Sequence, residues 1–391
     1  MPTVADAIRA FAPAYLLGHG DTVPAGHRRV LNFITKCGTG ELGHVVYECG
    51  SCGKHHWRNR SCGNRHCPSC QQQKTQDWLL KQSQKRLPVQ YFLVTFTVPS
   101  ELRLALRASQ WNGYGALFDA AADSLKELIK VTRATKDGQP GFFGVLQTWG
   151  RNPMNYHPHV HFVVPGGAVK TDVSGNAIGW LPASVDFLVH HSTLIRTFKA
   201  KFRDKLAACG ITDDVPRREL SQAWKKKSVV DIEPVGNGEA VLKYLAPYVY
   251  RVAISNNRIV KVDDTHVTFT MTPSGTRSSV TKRVPGTEFV RGFCQHILPQ
   301  HPESRGGFHK IRYYGFMTAN SRISIEEVQW LASCQLRLFF IIRDGARDDS
   351  NGDSRAPMHC SFCGGELRLL LVTDGSGRVL VNHRQRYLDS G

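Results

Sequence analysis

His157-Pro158-His159-Val160-His161-Phe162-Val163-Val164-Pro165-Gly166-Gly167 carries the pattern on which the fold turns. Side chains of a strand alternate faces, so Val160, Phe162 and Val164 point one way, toward a core, and His159 and His161 point the other. Two imidazoles on one face, two residues apart, are close enough to share one cation. His157 has the same parity, but Pro158 opens the strand and leaves its direction undetermined. Pro165-Gly166-Gly167 ends the run. The preceding apolar stretch, Gly141–Gly150, is joined to it by the polar loop 151–156, which predicts a hairpin. A third ligand is expected from a neighbouring strand: Gln147 first, His157 second. Read alone, the triplet also fits two surface histidines on a half-exposed strand.

Outward from the hairpin, β-rich runs alternate with helical ones. Gln90–Val98 (QYFLVTFTV) reads as a buried strand, Ser100–Arg133 as a long helix, Ala183–Cys209 as another, and Val229–Val235 as a further strand. Strands that pair antiparallel with helices on one face describe an α+β sandwich. Asn237-Gly238 turns the chain into a helix over 239–252, which holds Tyr244 and Tyr248 one turn apart on one face. Tyr250 points elsewhere and is read as packing. Pro247 removes one intrahelical hydrogen bond and predicts a kink between the two tyrosines. A phenol with a pKa near ~10 is only about one part in a thousand phenolate at neutral pH, so a nucleophilic tyrosine needs help from a metal or a base. A core-packed Tyr-x3-Tyr pair is the competing explanation.

Six of the eleven cysteines lie between Cys37 and Cys70. The knuckles Cys49-Gly50-Ser51-Cys52 and Cys67-Pro68-Ser69-Cys70 predict one structural Zn2+ with four thiolate corners and no position open to water. Cys37, Cys62 and His66, with His44, His55 or His56 nearby, could complete a second site. Arg58, Arg60 and Arg65 surround the knuckles and suit contact with DNA. Lys plus Arg number 50 against 32 Asp plus Glu, a surplus of +18 in 391 residues. Such an excess favours a polyanionic partner, and nucleic acid leads. With 41% hydrophobic residues the chain is expected to fold. Neither a signal peptide nor an apolar run of membrane-spanning length is legible, which predicts no membrane partner and a reducing cytoplasm.

The last third alternates short Thr- and Ser-rich strands over Val260–Arg283 with a helix over Thr287–Ile297. Gly307-Phe308-His309-Lys310-Ile311-Arg312-Tyr313-Tyr314-Gly315 mixes cations with aromatics, so Lys310 and Arg312 are candidate DNA contacts. The run Lys225-Lys226-Lys227 is another, with a solvated face as the alternative. Ala346–Arg355 reads as a polar linker, and beyond it Cys360-Ser361-Phe362-Cys363 stands as a lone knuckle that His359 or a distant residue could complete. The divisions expected are 1–86 (a helical start and zinc-binding module), 87–258 (the sheet domain) and 259–391 (an accessory region).

Taken in order, the front end CGTGELGHVVYECGSCGKHHWRNRSCGNRHCPSCQ, the strand HPHVHFVVPGG, the helix YLAPYVYRVAISNNRI and the later GFHKIRYYG resemble the two-tyrosine rolling-circle transposases of bacterial insertion sequences, within the HUH endonuclease superfamily. The resemblance runs over most of the chain. It implies an antiparallel-sheet HUH nuclease domain preceded by a small zinc-ribbon-like domain, working beside the nucleoid of a bacterial cytoplasm. It implies that His159 and His161 bind a catalytic Mg2+ or Mn2+, and that Tyr244 and Tyr248 are nucleophiles on single-stranded transposon ends and target. Each tyrosine would form a 5′-phosphotyrosine and free a 3′-OH. A replication initiator or relaxase is the rival in chemistry, and a non-catalytic zinc-ribbon regulator the rival in class. No G-x4-G-K-[S/T] loop occurs, so a fused helicase is not expected.

Overall fold

The computed structural model describes residues 1–391 except 227–228, 251–252, 274, 277, 302, 304–305, 336–357 and 384–391, and except the side chains at 72, 73, 247, 248 and 250. Lys227 and the linker 346–355 therefore lie outside the described residues. Helices α1 (Val4–His19) and α2 (Ala25–Thr35) precede the hairpin β1 (His44–Cys49) and β2 (His55–Asn59). After α3 (Gln72–Gln84) come β3 (Tyr91–Thr97), α4 (Arg103–Ala108) and α5 (Gln110–Val131). The hairpin β4 (Phe142–Trp149) and β5 (Tyr156–Pro165) is followed by a second one, β6 (Gly167–Thr171) and β7 (Ala177–Pro182). Next are α6 (His191–Ala208), α7 (Arg217–Lys225), β8 (Val230–Pro234) and α8 (Glu239–Tyr250). Three strands, β9 (Ile259–Val262), β10 (His266–Met271) and β11 (Val280–Pro285), lead into α9 (Gly286–Cys294) and β12 (Ile311–Tyr314). The described chain closes with α10 (Ile325–Gln335), β13 (Leu367–Thr373) and β14 (Val379–Asn382).

The central sheet has the order β12-β4-β5-β3-β8, and every neighbouring pair is antiparallel. The α+β architecture is the one expected. Its edge strand β12 comes from residues 259–391, far along the chain from the hairpin it joins. On one face Phe96, Phe142, Val160, Phe162 and Val164 are buried with Leu117, Phe118 and Leu125 of α5 and Phe198 and Phe202 of α6. Phe162 is the hub of this layer, with ring centroids of Phe96, Phe118, Phe142 and Tyr314 at 5.5 to 6.2 Å. Gly144 lies opposite Phe162 across the β4–β5 ladder, and a Cβ there would stand 2.8 Å from the ring.

The other face carries helices too, over half its length. Tyr91, Phe143, Val145 and Val163 pack against Val241, Leu242, Leu245, Ala246 and Val249 of α8 and against Trp78 of α3. Those α8 positions form one helical stripe, which leaves Lys243 and Tyr244 on the exposed flank. On the half of this face nearer His159, Thr95, Thr97, Gln147, His159 and His161 line the floor of a cleft. A third layer closes the far side: α1, α2, α9 and the sheet β11-β10-β9 share a core that includes Phe11, Phe269, Phe289 and Trp149. Helix α1 starts on a capping box in which the Thr3 hydroxyl accepts the Asp6 N–H and the Asp6 carboxylate accepts the Thr3 N–H.

The long helix expected over 100–133 breaks at Ser109 into α4 and α5, and the one expected from 183 begins only at His191. The residues between, Ser184 and Phe187, form an isolated bridge instead. Among the described residues no helix is long and apolar enough to cross a membrane.

Candidate active site and cysteine centres

The hairpin register sets the cleft floor. Gln147 of β4 stands opposite His159 of β5, Val145 opposite His161, and on the other flank Thr95 of β3 also pairs with His161. Directly opposed residues in an antiparallel ladder share a face, so Gln147, His159, His161 and Thr95 gather on one side. The His159 and His161 rings are 4.8 Å apart between centroids and nearly perpendicular, at 88°. Tyr244 reaches in from the α8 flank, half exposed, its ring centroid 6.5 Å from that of His161. These side chains line a cleft of about 860 Å³.

Each histidine is oriented by a partner on Nδ1. His159 Nδ1 is 2.8 Å from the His157 carbonyl oxygen, which only accepts, so Nδ1 carries the proton and Nε2 keeps its lone pair. His161 Nδ1 is 2.9 Å from the Thr95 hydroxyl, which can play the same part. Burial lowers the His159 pKa to about 4 and pushes that of His161 well below the histidine range, with the His159 imidazole adding to the second shift. Both rings are therefore neutral at physiological pH, the form that ligates a metal.

Among the described residues, no third His, Cys, Asp or Glu closes with His159 and His161 into a set within 4.8 Å. His157, the second candidate ligand, does not complete the pair; its ring lies 5.2 Å from that of His159. Gln147 does fit the vacancy in the donor set. It is only 3% exposed, and its Nε2 has no hydrogen-bond partner. A buried carboxamide left unpaired costs about 1–3 kcal/mol, and turning it over would offer its oxygen to a cation instead.

Arg103, Arg151 and Arg258 border the cleft and were not singled out in the sequence. Arg103 follows β3 by six residues and donates from Nε to the Val98 carbonyl at 3.3 Å. Arg151 sits in the β4–β5 loop and donates to the Thr276 carbonyl at 3.0 Å. The legible signal for Arg103 and Arg151 is position: each lies just beyond a strand that bears a site residue, β3 and β4.

The cysteines group differently from the expected arrangement. Cys67 and Cys70 do not join Cys49 and Cys52; they gather with Cys37 and Cys62, all four sulfurs lying within 4.8 Å. Cys70 Sγ is 3.5 Å from Cys37 Sγ and 3.6 Å from Cys62 Sγ, and Cys67 Sγ is 3.7 Å from Cys37 Sγ. Tetrahedral zinc with ~2.3 Å bonds sets sulfur–sulfur edges of about 3.8 Å, whereas a disulfide would bring two sulfurs to ~2.05 Å. His66 takes no part in this set. Its Nε2 accepts the Leu298 N–H at 3.0 Å, its Nδ1 lies 3.3 Å from Asn64 Oδ1, and burial lowers its pKa to about 3. Cys49 and Cys52 form a second set with Cys360 and Cys363. His359 turns its Nδ1 to the Gly364 carbonyl, 3.0 Å away.

Several of the expected DNA-contacting cations make protein contacts. Arg60 donates to the Leu42 and Thr373 carbonyls, both at 3.1 Å, and Arg65 donates to the Phe308 carbonyl at 2.8 Å. Lys226 pairs with Glu101 at 2.8 Å. Arg312 pairs with Asp119 at 3.2 Å and lies over the Phe118 ring. Lys310 is nearly buried, its ammonium 4.7 Å above the Trp149 ring. Arg58 and Lys225 are exposed. Tyr248 lies one turn beyond Tyr244 on α8, which continues through position 247 to Tyr250; the side chains at 247, 248 and 250 lie outside the described residues.

The chain as a whole is similar to known proteins. Residues 141–324 match a family model described as "Putative transposase", and residues 7–98 match the "Transposase zinc-binding domain". The chain is 35% identical over 351 residues to "Putative transposase y4qJ" of Sinorhizobium fredii, covering 85% of this chain and 83% of that one. It is 27% identical over 299 residues to "Transposase for insertion sequence element IS801" of Pseudomonas savastanoi pv. phaseolicola, covering 72% and 68%. No solved structure matches. The first family model spans the histidine strand and the tyrosine helix, and the second contains all of Cys37, Cys62, Cys67 and Cys70. The chain belongs to the family of insertion-sequence transposases that carry an N-terminal transposase zinc-binding domain.

Proposed function

We propose that this transposase nicks one DNA strand at a transposon end and carries the strand through a covalent 5′-phosphotyrosine, in a rolling-circle type of transposition. The observation that carries the reading is the position of Tyr244 beside the neutral, oriented pair His159 and His161. A tyrosine at the rim of a cleft floored by metal-type ligands is arranged for attack on a phosphodiester, whereas a packing tyrosine would be buried.

His159, His161 and the Gln147 carboxamide would hold Mg2+ or Mn2+. Bound there, the ion would act as a Lewis acid on the scissile phosphate. Arg103, Arg151 and Arg258 offset the charge of the incoming backbone. The Tyr244 oxygen bonds to phosphorus as the bond from phosphorus to the 3′ oxygen breaks, and the phenolic proton passes by way of water to that oxygen, which departs as a 3′-OH. One ester replaces another, so the energy of the broken bond stays available for rejoining. Tyr248, one turn further along α8, would allow a second cleavage while the first end is held.

The test is incubation with single-stranded oligonucleotides tiling the DNA that flanks the gene, with Mg2+, Mn2+ or EDTA. A denaturation-resistant protein–DNA adduct, dependent on metal and absent in the Tyr244→Phe, Tyr248→Phe double variant, is expected. An adduct that survives the double change, or cleavage without any adduct, would refute the reading.

A further inference from the structure

We propose that a second zinc ion is held by Cys49, Cys52, Cys360 and Cys363, and that it locks the C-terminal hairpin onto the N-terminal zinc module. The four sulfurs lie within 4.8 Å of one another, with Cys49 to Cys363 at 3.5 Å and Cys52 to Cys360 at 3.8 Å. Those edges fit a tetrahedral zinc tetrathiolate, about 3.8 Å, and are far too long for disulfides. Four thiolates select a soft ion and leave no corner for water, so the site is structural.

The backbone is built for such a centre. Each Cys-x2-Cys turn is a knuckle: the Gly53 N–H donates to the Cys49 carbonyl at 2.9 Å, and the Gly364 N–H to the Cys360 carbonyl at 2.9 Å. The knuckles are brought together by strand pairing, since β13 runs antiparallel to β1 and makes a four-stranded sheet in the order β14-β13-β1-β2. Around the sulfurs, His56 Nε2 lies 3.2 Å from Cys360 Sγ, and the Lys54 ammonium sits 3.8 Å above the Phe362 ring. Close approach depends on glycine at two positions. A Cβ on Gly365 would run into Ser51 Oγ and stand 3.0 Å from Cys49 Sγ, and one on Gly43, at φ +96°, would run into the Thr373 carbonyl. Residues more than 300 positions apart are thus fitted to each other at the sulfurs and along the strands.

The ion gives the module a dependence on the far end of the chain. The family zinc-binding region ends at residue 98 and holds only half of this ligand set. A hairpin of two short strands is marginal alone, and the metal supplies what its small core does not.

The experiment counts zinc per full-length chain by elemental analysis after exhaustive removal of free metal. Two ions per chain are expected in the unaltered protein. The Cys360→Ser, Cys363→Ser variant should hold one, the Cys49→Ser, Cys52→Ser variant should hold one, and the four-fold variant should still hold one, because both pairs serve a single ion. Retention of the first zinc reports that these variants still fold. Cobalt loading of the unaltered protein supplies a second readout, with thiolate-to-cobalt absorption equal to two tetrathiolate centres. One zinc per chain in the unaltered protein, or two in the Cys360→Ser, Cys363→Ser variant, would overturn the proposal.

Discussion

The Tyr244 ring stands edge-on to the His161 imidazole, at 83° and 6.5 Å between centroids. The relationship follows from two independent patterns meeting. Strand alternation puts His161 on the open face of the sheet, and the apolar stripe of α8 turns Tyr244 out of its own core toward that face. If the phenol is the nucleophile, Tyr244→Phe removes the attacking oxygen while keeping the ring beside His161. The variant should keep its thermal midpoint within about 2 °C, corresponding to the small effect of an exposed substitution. Adduct formation should fall by at least about two orders of magnitude, a loss comparable to removal of a group needed in the transition state. A gel-based adduct assay alongside a melting curve checks both.

The orientation of His161 gives a subtler prediction. Thr95→Val keeps the shape of the side chain but deletes the hydroxyl at His161 Nδ1. Partners of this outer kind typically contribute about 10–100-fold in metal affinity. The Mn2+ concentration for half-maximal adduct formation should rise by that factor, while the rate at saturating Mn2+ stays close to the original. A metal titration of the variant decides it; an unchanged midpoint would mean that Thr95 does not orient a ligand.

Gln147 should behave as a ligand, and its structural cost tells ligand from filler. Gln147→Leu relieves an unpaired buried amide, so stability should hold or rise by about 1 kcal/mol. Metal-dependent cleavage should collapse at the same time. A variant that is less stable but fully active would assign Gln147 to packing.

Acid sensitivity is built in at the end of β4 and the loop that follows it. His296 is buried, with Nε2 2.9 Å from the Pro153 carbonyl and Nδ1 3.1 Å from Thr148 Oγ1, and burial lowers its pKa to about 3. Between pH 3 and the unfolded-state value of ~6.5 the unfolded chain holds a proton there that the folded one does not. Folding stability therefore falls as pH drops below ~6.5, and this group alone contributes a loss of about 2 kcal/mol by pH 5. Urea melts at pH 7.5 and 5.0 measure it, and His296→Gln should flatten the difference by a similar amount.

The core makes its own demand. Phe162 is fully buried and touches four aromatic rings, so Phe162→Ala should destabilise the fold by about 3–5 kcal/mol. The denaturation midpoint is the measurement, and a loss below ~1 kcal/mol would contradict the layer described.

What could be read from the sequence was what local periodicity encodes. Alternation within 157–164 fixes which face holds His159 and His161, and helical spacing relates Tyr244 to Tyr248, because both depend only on residues a few positions away. Cysteine grouping is a different problem. Any two knuckles can make a tetrahedral site, and spacing favours neighbours, so Cys49 and Cys52 were matched with Cys67 and Cys70. Strand pairing of β1 with β13 brought Cys360 and Cys363 to them instead, and Cys37 and Cys62, which form no knuckle, completed the other set. The lone knuckle at the far end was the available clue. Cations are legible only as charge: Arg60 and Arg312 read as a DNA face in sequence, and the fold also gives them carbonyls, Asp119 and aromatic rings as partners. Arg103 is legible only by its place beyond β3; its neighbours in sequence are those of any helix-start arginine.

The central claim is that a tyrosine of α8 becomes covalently joined to DNA. Digesting the purified protein–oligonucleotide adduct with trypsin and nuclease and sequencing the nucleotide-bearing peptide by mass spectrometry tests it most directly. The account predicts a nucleotide mass on Tyr244 or Tyr248, in the peptide that begins after Lys243. Attachment to any residue outside α8 would contradict it.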